Sequence, residues 1–209
     1  ETSDQSVAHW RGEVERQLTE LGVQPDQTVV VYDGGTLYAA RLWWILYQLG
    51  HADVRVLNGG LPAWIASGGP VETGPAHAPP APHPYAGKPD ESAIATLDEV
   101  KAALDDPDVV LVDARSPAEY AAGHIPGAIN VEFTQPRYWK RASELRAMYA
   151  ALGITPDKHV IPYCLTGVRS AATYFTLRLI GYDDVTLFTG SWKEWSSHQD
   201  LPVRTGSAP

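Results

Sequence analysis

Blocks of apolar residues alternate with polar and glycine-rich breaks along the chain, and the blocks predict alternating helices and strands. Val14 to Leu21 reads as a helix, with Gly22 and Pro25 as stop signals. Thr28 to Tyr32 is a β-branched strand, and Leu37 to Leu49 a strongly apolar helix closed by Gly50. Trp43 and Trp44 inside that helix are expected in a core. Val54 to Leu57 is the next strand, and Gly59-Gly60 turns into a short helix around Trp64.

Residues 68–92 change character, with Gly68-Gly69-Pro70 followed by Pro75, Pro79, Pro80, Pro82, Pro84 and Pro89. Such a stretch predicts an extended linker. His77 and His83 lie in it without neighbouring carboxylates or thiols, so no metal site is expected there. Beyond it, Thr96 and Glu99 form a capping-box pattern for a helix over Leu97 to Leu104. Val109 to Val112 is continuously apolar, as for a strand buried on both faces. Pro117 to Ala122 reads as a short helix, Gly123 to Ala128 as a turn, and Ile129 to Val131 as a strand. Ser143 to Leu152 is a helix, Lys158 to Tyr163 a strand, and Ser170 to Ile180 a helix. Val185 to Phe188 is the last strand, and Gly190 opens the closing helix. The alternation predicts an α/β fold of parallel sheets flanked by helices.

The two halves also match each other at a constant offset of 131 residues. Leu21-Gly22-Val23 meets Leu152-Gly153-Ile154, Pro25-Asp26 meets Pro156-Asp157, and Tyr32 meets Tyr163. Gly50 meets Gly181, Asp53-Val54 meets Asp184-Val185, Gly59 meets Gly190, and Trp64 meets Trp195. Two homologous domains are therefore expected, at 1–75 and 93–209, joined by a Pro-rich linker at 76–92. Glu1 meets Glu132, whereas the second copy extends upstream to residue 92. The first domain is thus expected to lack its N-terminal part, whether that part is cleaved, left out or carried on a companion fragment that would complete it.

Composition excludes several classes. A formal charge of −9 argues against nucleic-acid binding. No apolar run approaches the roughly 20 residues that span a bilayer. One cysteine permits no internal disulfide and is compatible with a reducing compartment, so a cytoplasmic location is expected.

That cysteine, Cys164, sits between a predicted strand and a predicted helix. A lone Cys more often fills a core. Here the loop Cys164-Leu165-Thr166-Gly167-Val168-Arg169 places the thiol among free N–H groups at a helix start, with a cation five residues on. Both features favour thiolate, and each unit of lowered pKa corresponds to about 1.4 kcal/mol. Ser170 either donates its hydroxyl to the loop or caps the helix. In the first copy Asp33 stands in place of Cys164 and Tyr38 in place of Arg169, so that copy is expected to be inactive.

The second copy resembles a rhodanese domain. Asp113-Ala114-Arg115-Ser116-Pro117-Ala118-Glu119-Tyr120 is similar to that family's first signature, and Gly123-His124-Ile125-Pro126-Gly127-Ala128 to its next. Tyr163 to Ser170 falls where the family has its catalytic loop, and Gly190 to Trp195 resembles the closing motif of the two-domain members. The resemblance implies sulfur transfer from thiosulfate to cyanide or a thiol through a persulfide on Cys164, without metal or organic cofactor. Arg169, Leu165, Thr166, Gly167, Val168 and Ser170 would hold the substrate. Asp113, Arg115 and Glu119 would support the loop, and His124 would stabilise a turn.

Within the family the alternative is 3-mercaptopyruvate sulfurtransferase, whose loop typically reads Cys-Gly-Ser-Gly-Val-Thr. Glu119 falls where those enzymes place an arginine for the keto-acid carboxylate, and is expected to repel it. Related phosphatases share the fold but carry a loop one residue longer. A third alternative is a non-catalytic interaction module.

Overall fold

A computed structural model describes residues 4–75, 79–136 and 140–209, so His77 lies outside the described residues. The chain divides into two compact units, Ser3–Glu91 and Ser92–Pro209. Each is mixed α/β with a parallel sheet.

The first unit runs α1 (Asp4–Glu20), β1 (Thr28–Val31), α2 (Ala39–Gln48), β2 (Asp53–Val56) and α3 (Gly60–Ala66). Helix α1 begins ten residues earlier than the apolar pattern predicts, and tertiary contacts supply what propensity lacks. Trp10 packs on the buried Trp44, with ring centroids 6.2 Å apart, and Arg11 pairs with Glu91. Strands β1 and β2 pair in parallel from Thr28↔Asp53 to Val31↔Val56. Leu18, Val31, Ala39, Leu46 and Leu49 form the core.

The Pro-rich stretch is extended, yet its described part is bound to this unit. Tyr85 is buried in the same core, and its hydroxyl meets His51 Nδ1 at 3.0 Å. The Lys88 N–H donates to Leu49 O at 2.9 Å. A side chain at Gly87 would meet Leu49 O at 2.2 Å, so glycine is required for that close approach.

The second unit runs α4 (Leu97–Ala102), β3 (Val109–Asp113), α5 (Pro117–Ala122), β4 (Ile129–Asn130), α6 (Ala142–Ala150), β5 (His159–Tyr163), α7 (Ser170–Leu179) and α8 (Ser191–Trp195). The expected capping box of Thr96 and Glu99 starts α4, and a second one, of Ser116 and Glu119, starts α5. The sheet order is β4-β3-β5, all parallel. The apolar side chains of Val100, Leu111, Tyr120, Ile125, Ile161, Tyr163, Phe188 and Trp195 form one core.

The strand expected at Val185 to Phe188 is reduced to isolated bridges, Val160↔Val185 and Ile94↔Leu187. Pro162 is the reason. Val160 exchanges both its backbone groups with this segment, donating to Asp184 O and accepting from Thr186 N–H. Two residues on, Pro162 accepts from Phe188 N–H but has no N–H to give back. Among the described residues no helix is long and apolar enough to cross a membrane.

Candidate active site

Strand β5 ends at Tyr163, and α7 begins at Ser170; the six residues between form a tight loop with Cys164 at its base. Cys164 is 1% exposed. Burial pushes its thiol pKa up, but hydrogen bonds from Ser170 and from the N–H groups of Thr166 and Arg169 outweigh that and hold it below the ordinary value. The fully buried Ser170 hydroxyl contributes most, followed by the N–H groups of Ser170, Thr166 and Arg169. The loop can close because Gly167 takes φ +78°, where a Cβ would also meet Thr189 O at 2.9 Å.

The closing segment fixes the start of the loop. Ser191 Oγ accepts from Cys164 N–H at 3.2 Å and donates to Phe188 O at 2.8 Å. Trp192 N–H donates to Cys164 O, and Lys193 N–H to Leu165 O, both at 3.0 Å. Ser191 does this from a left-handed backbone, φ 57°. Its place in the closing motif is visible in the sequence, but its bond to Cys164 is not, because 27 residues separate them.

Arg169 forms a two-pronged pair with Glu119, at 2.8 and 2.7 Å. The guanidinium also interacts with the Cys164 sulfur, so it bridges carboxylate and thiol. Glu119 is doubly held. Its carboxylate also takes the Ser116 hydroxyl at 2.8 Å in the α5 capping box. The Arg169 guanidinium chiefly, with Ser116, brings its pKa to about 2. Glu119 is therefore not the isolated negative charge expected from the sequence, since Arg169 compensates it.

Asp113 and Arg115 form a buried ion pair, with Arg115 Nη2 2.6 Å from Asp113 Oδ2. The same nitrogen donates to Gly123 O at 2.7 Å, and the guanidinium lies 4.7 Å from the Trp192 ring centroid. Ala114 N–H donates to Tyr163 O, which ties this pair to the end of β5 beneath the loop. His124 is buried, with Nδ1 2.9 Å from Tyr120 O and its ring stacked on Tyr120. The side chains of Leu165, Thr166 and Val168 face outward around the buried thiol.

The first unit builds the same loop around a different group. Asp33 accepts N–H bonds from Gly35 at 2.7 Å, Thr36 at 3.1 Å and Ala39 at 2.8 Å. At the repeat offset those donors correspond to Thr166, Gly167 and Ser170. A carboxylate thus fills the cradle that surrounds sulfur in the second unit.

Fold and loop together define a class: a parallel α/β domain, present twice, with one thiol held in a ring of N–H donors. The chain belongs to the rhodanese family, whose rhodanese-like domain matches residues 3–67 and 96–198. It is 40% identical to the thiosulfate sulfurtransferase of Pseudomonas aeruginosa, over 92% of this chain and 75% of that protein. It is 36% identical to the sulfur carrier protein TtuD of Thermus thermophilus, over 93% and 76%. Among solved structures, the anaerobic ergothioneine biosynthesis enzyme from Chlorobium limicola, bound to trimethyl histidine, superposes with a TM-score of 0.85 at 30% identity. That match covers 93% of this chain and 55% of the other, so the chain spans about half of the solved protein. A persulfide-bearing EanB variant with ergothioneine matches with a TM-score of 0.84 at 30% identity, over 94% and 55%.

Proposed function

We propose that this protein is a thiosulfate sulfurtransferase working through a persulfide on Cys164. The Cys164 thiolate attacks the outer sulfur of thiosulfate; a new S–S bond forms, the old one breaks, and sulfite leaves with its electron pair. A thiophile such as cyanide or a thiol then attacks the terminal sulfur and releases the thiolate. The observation that carries this reading is the ring of N–H groups from Thr166, Arg169 and Ser170 around a buried thiol of lowered pKa. Such a ring stabilises a sulfur anion before and after transfer. The Ser170 hydroxyl, which already serves the thiolate, is a donor for the longer persulfide as well. Arg169 supplies positive charge, while Leu165, Thr166 and Val168 form the rim that the donor crosses. Asp113 and Arg115 support the loop from below, and Glu119 orients Arg169. The first unit is inactive, since Asp33 fills its cradle.

Names of relatives support thiosulfate as donor, and the persulfide-bearing neighbour supports the intermediate. The pairing of Glu119 with Arg169 removes charge repulsion as an argument against 3-mercaptopyruvate, so the donor choice rests on those relatives. A phosphatase reading is disfavoured by four residues, not five, between Cys164 and Arg169. Small-molecule donor and acceptor, action in the cytoplasm and a companion polypeptide for the first unit belong to the same proposal.

Intact mass after incubation with thiosulfate tests it. The expected result is a gain of one sulfur atom per chain, reversed by cyanide with formation of thiocyanate and absent in Cys164→Ser. No gain in the wild-type protein, or an equal gain in Cys164→Ser, overturns it. Faster turnover with 3-mercaptopyruvate than with thiosulfate would overturn the donor alone.

A further inference from the structure

Thiosulfate is a dianion, the sulfur that attacks it is an anion, and the chain as a whole carries a charge of −9. Bringing donor and thiolate together therefore calls for positive charge at the mouth of the loop that no carboxylate already matches. Two arginines border the loop, and neither meets that need. Arg115 is buried against Asp113, with Nη2 2.6 Å from Oδ2. Arg169 holds Glu119 through two guanidinium nitrogens, at 2.8 and 2.7 Å, and interacts with the Cys164 sulfur as well. Each arginine is thus neutralised by its own partner.

Lys193 differs. Its backbone N–H donates to Leu165 O at 3.0 Å, next to the bond from Trp192 N–H to Cys164 O. Helix α8 therefore sets Lys193 against the residue that follows the thiol. The side chain is exposed, and among the described residues its ammonium makes no ion pair. Glu194, its neighbour in sequence, folds its carboxylate back over Gly190, and successive helix residues face different ways. The exposed rim side chains Leu165, Thr166 and Val168 carry no charge. A flexible lysine stem can lie along such a rim with its ammonium in water at the mouth. The repeat supplies a control: Lys193 corresponds to Pro62 and Arg169 to Tyr38, so the copy without the thiol lacks both cations.

We propose that Lys193 is the donor-binding cation of this site, its ammonium holding the sulfonate end of thiosulfate at the rim while the outer sulfur faces Cys164. The inference rests on the sulfur-transfer reading above. It divides the work between two cations. Arg169, tied to Glu119 and the thiol, serves the sulfur anion of the enzyme itself. Lys193 attracts the arriving anion and releases sulfite; no bond to its nitrogen forms or breaks. Because the ammonium is exposed, its effect is salt-sensitive.

Two measurements on the wild type, Lys193→Met and Lys193→Arg test this. The first needs no sulfur transfer: it compares alkylation of Cys164 by iodoacetate, an anion, with alkylation by neutral iodoacetamide. Lys193→Met is expected to lower the iodoacetate rate relative to iodoacetamide by about threefold to fivefold at low salt, the scale of one exposed charge pair. Lys193→Arg should keep the wild-type ratio, and high salt should remove the difference. The second is steady-state turnover with thiosulfate. Lys193→Met should raise KM by at least the same factor with kcat held, and Lys193→Arg should restore it. An equal alkylation ratio in all three proteins overturns the proposal. So does an equal slowing of iodoacetamide, or an unchanged KM in Lys193→Met. A wild-type chain that forms no persulfide overturns the sulfur-transfer reading instead, and the alkylation ratio then judges by itself whether Lys193 draws anions to the thiol.

Discussion

Asp33 and Cys164 occupy the same step of the repeat, and each sits in a ring of backbone donors. Burial raises the pKa of Asp33, and the N–H groups of Ala39, Gly35 and Thr36 more than reverse this. The ring therefore selects negative charge, whichever element carries it. Cys164→Asp and Cys164→Ala are both expected to lose sulfur transfer. The aspartate variant should nonetheless be more stable than the alanine one by about 1.5–3 kcal/mol above pH 5, the scale of hydrogen bonds to a charged group. Urea unfolding of the two variants measures this, and equal stability would contradict an anion cradle. Ser170→Ala makes the complementary test. It removes a buried hydroxyl without opening the ring, so the thiolate pKa should rise and activity should shift to higher pH. The pH profile of iodoacetamide alkylation reads the thiolate directly.

Elements meet at the loop from three directions: the end of β5, the start of α7 and the closing turn into α8. Ser191 joins the last of these to the first, and Ser191→Ala leaves the buried Cys164 N–H without its acceptor. The expected cost is about 1–3 kcal/mol, with a slower reaction at Cys164. Thermal unfolding together with sulfur-transfer rate checks both. The α5 capping box provides a pH-dependent link. Glu119 titrates at about 2 in the fold, below its ordinary 4.5, so its contribution is complete above pH 4.5 and lost as pH falls towards 2. Glu119→Gln should flatten that part of the acid-unfolding curve. Much of this site was legible beforehand, because loop contacts are local: Cys164, Gly167, Arg169 and Ser170 lie within one turn of chain. The Asp113–Arg115 ion pair is local in the same way, two positions apart. Ser191 and the Glu119–Arg169 pair were not, since they join residues 27 and 50 positions apart. Apolar patterning predicts a strand at Val185 to Phe188 because it registers side chains and not the N–H that Pro162 lacks.

At the scale of the whole molecule the two units share a sequence pattern but not a degree of burial. The alternation of elements made the α/β class legible, and the repeat made its duplication legible. Apolar patterning did not reveal that Val30, Tyr32 and Trp64 face outward while their counterparts are enclosed, because coverage depends on which segments pack on them. A two-stranded sheet with one open face has little to stabilise it compared with the three-stranded sheet of the second unit. Denaturation is therefore expected in two steps, the first unit before the second. The residues themselves provide separate reporters. Trp10, Trp43, Trp44 and Trp64 belong to the first unit and Trp192 and Trp195 to the second, so fluorescence reports on both units, whereas the one thiol, 1% exposed, reports on the second alone. With rising urea, a first phase of the tryptophan fluorescence change should occur while Cys164 still resists a bulky alkylating agent. Thiol labelling should follow only at a higher urea concentration. Coincident fluorescence and labelling transitions would mean that the units unfold as one, and that the open face of the first costs it nothing.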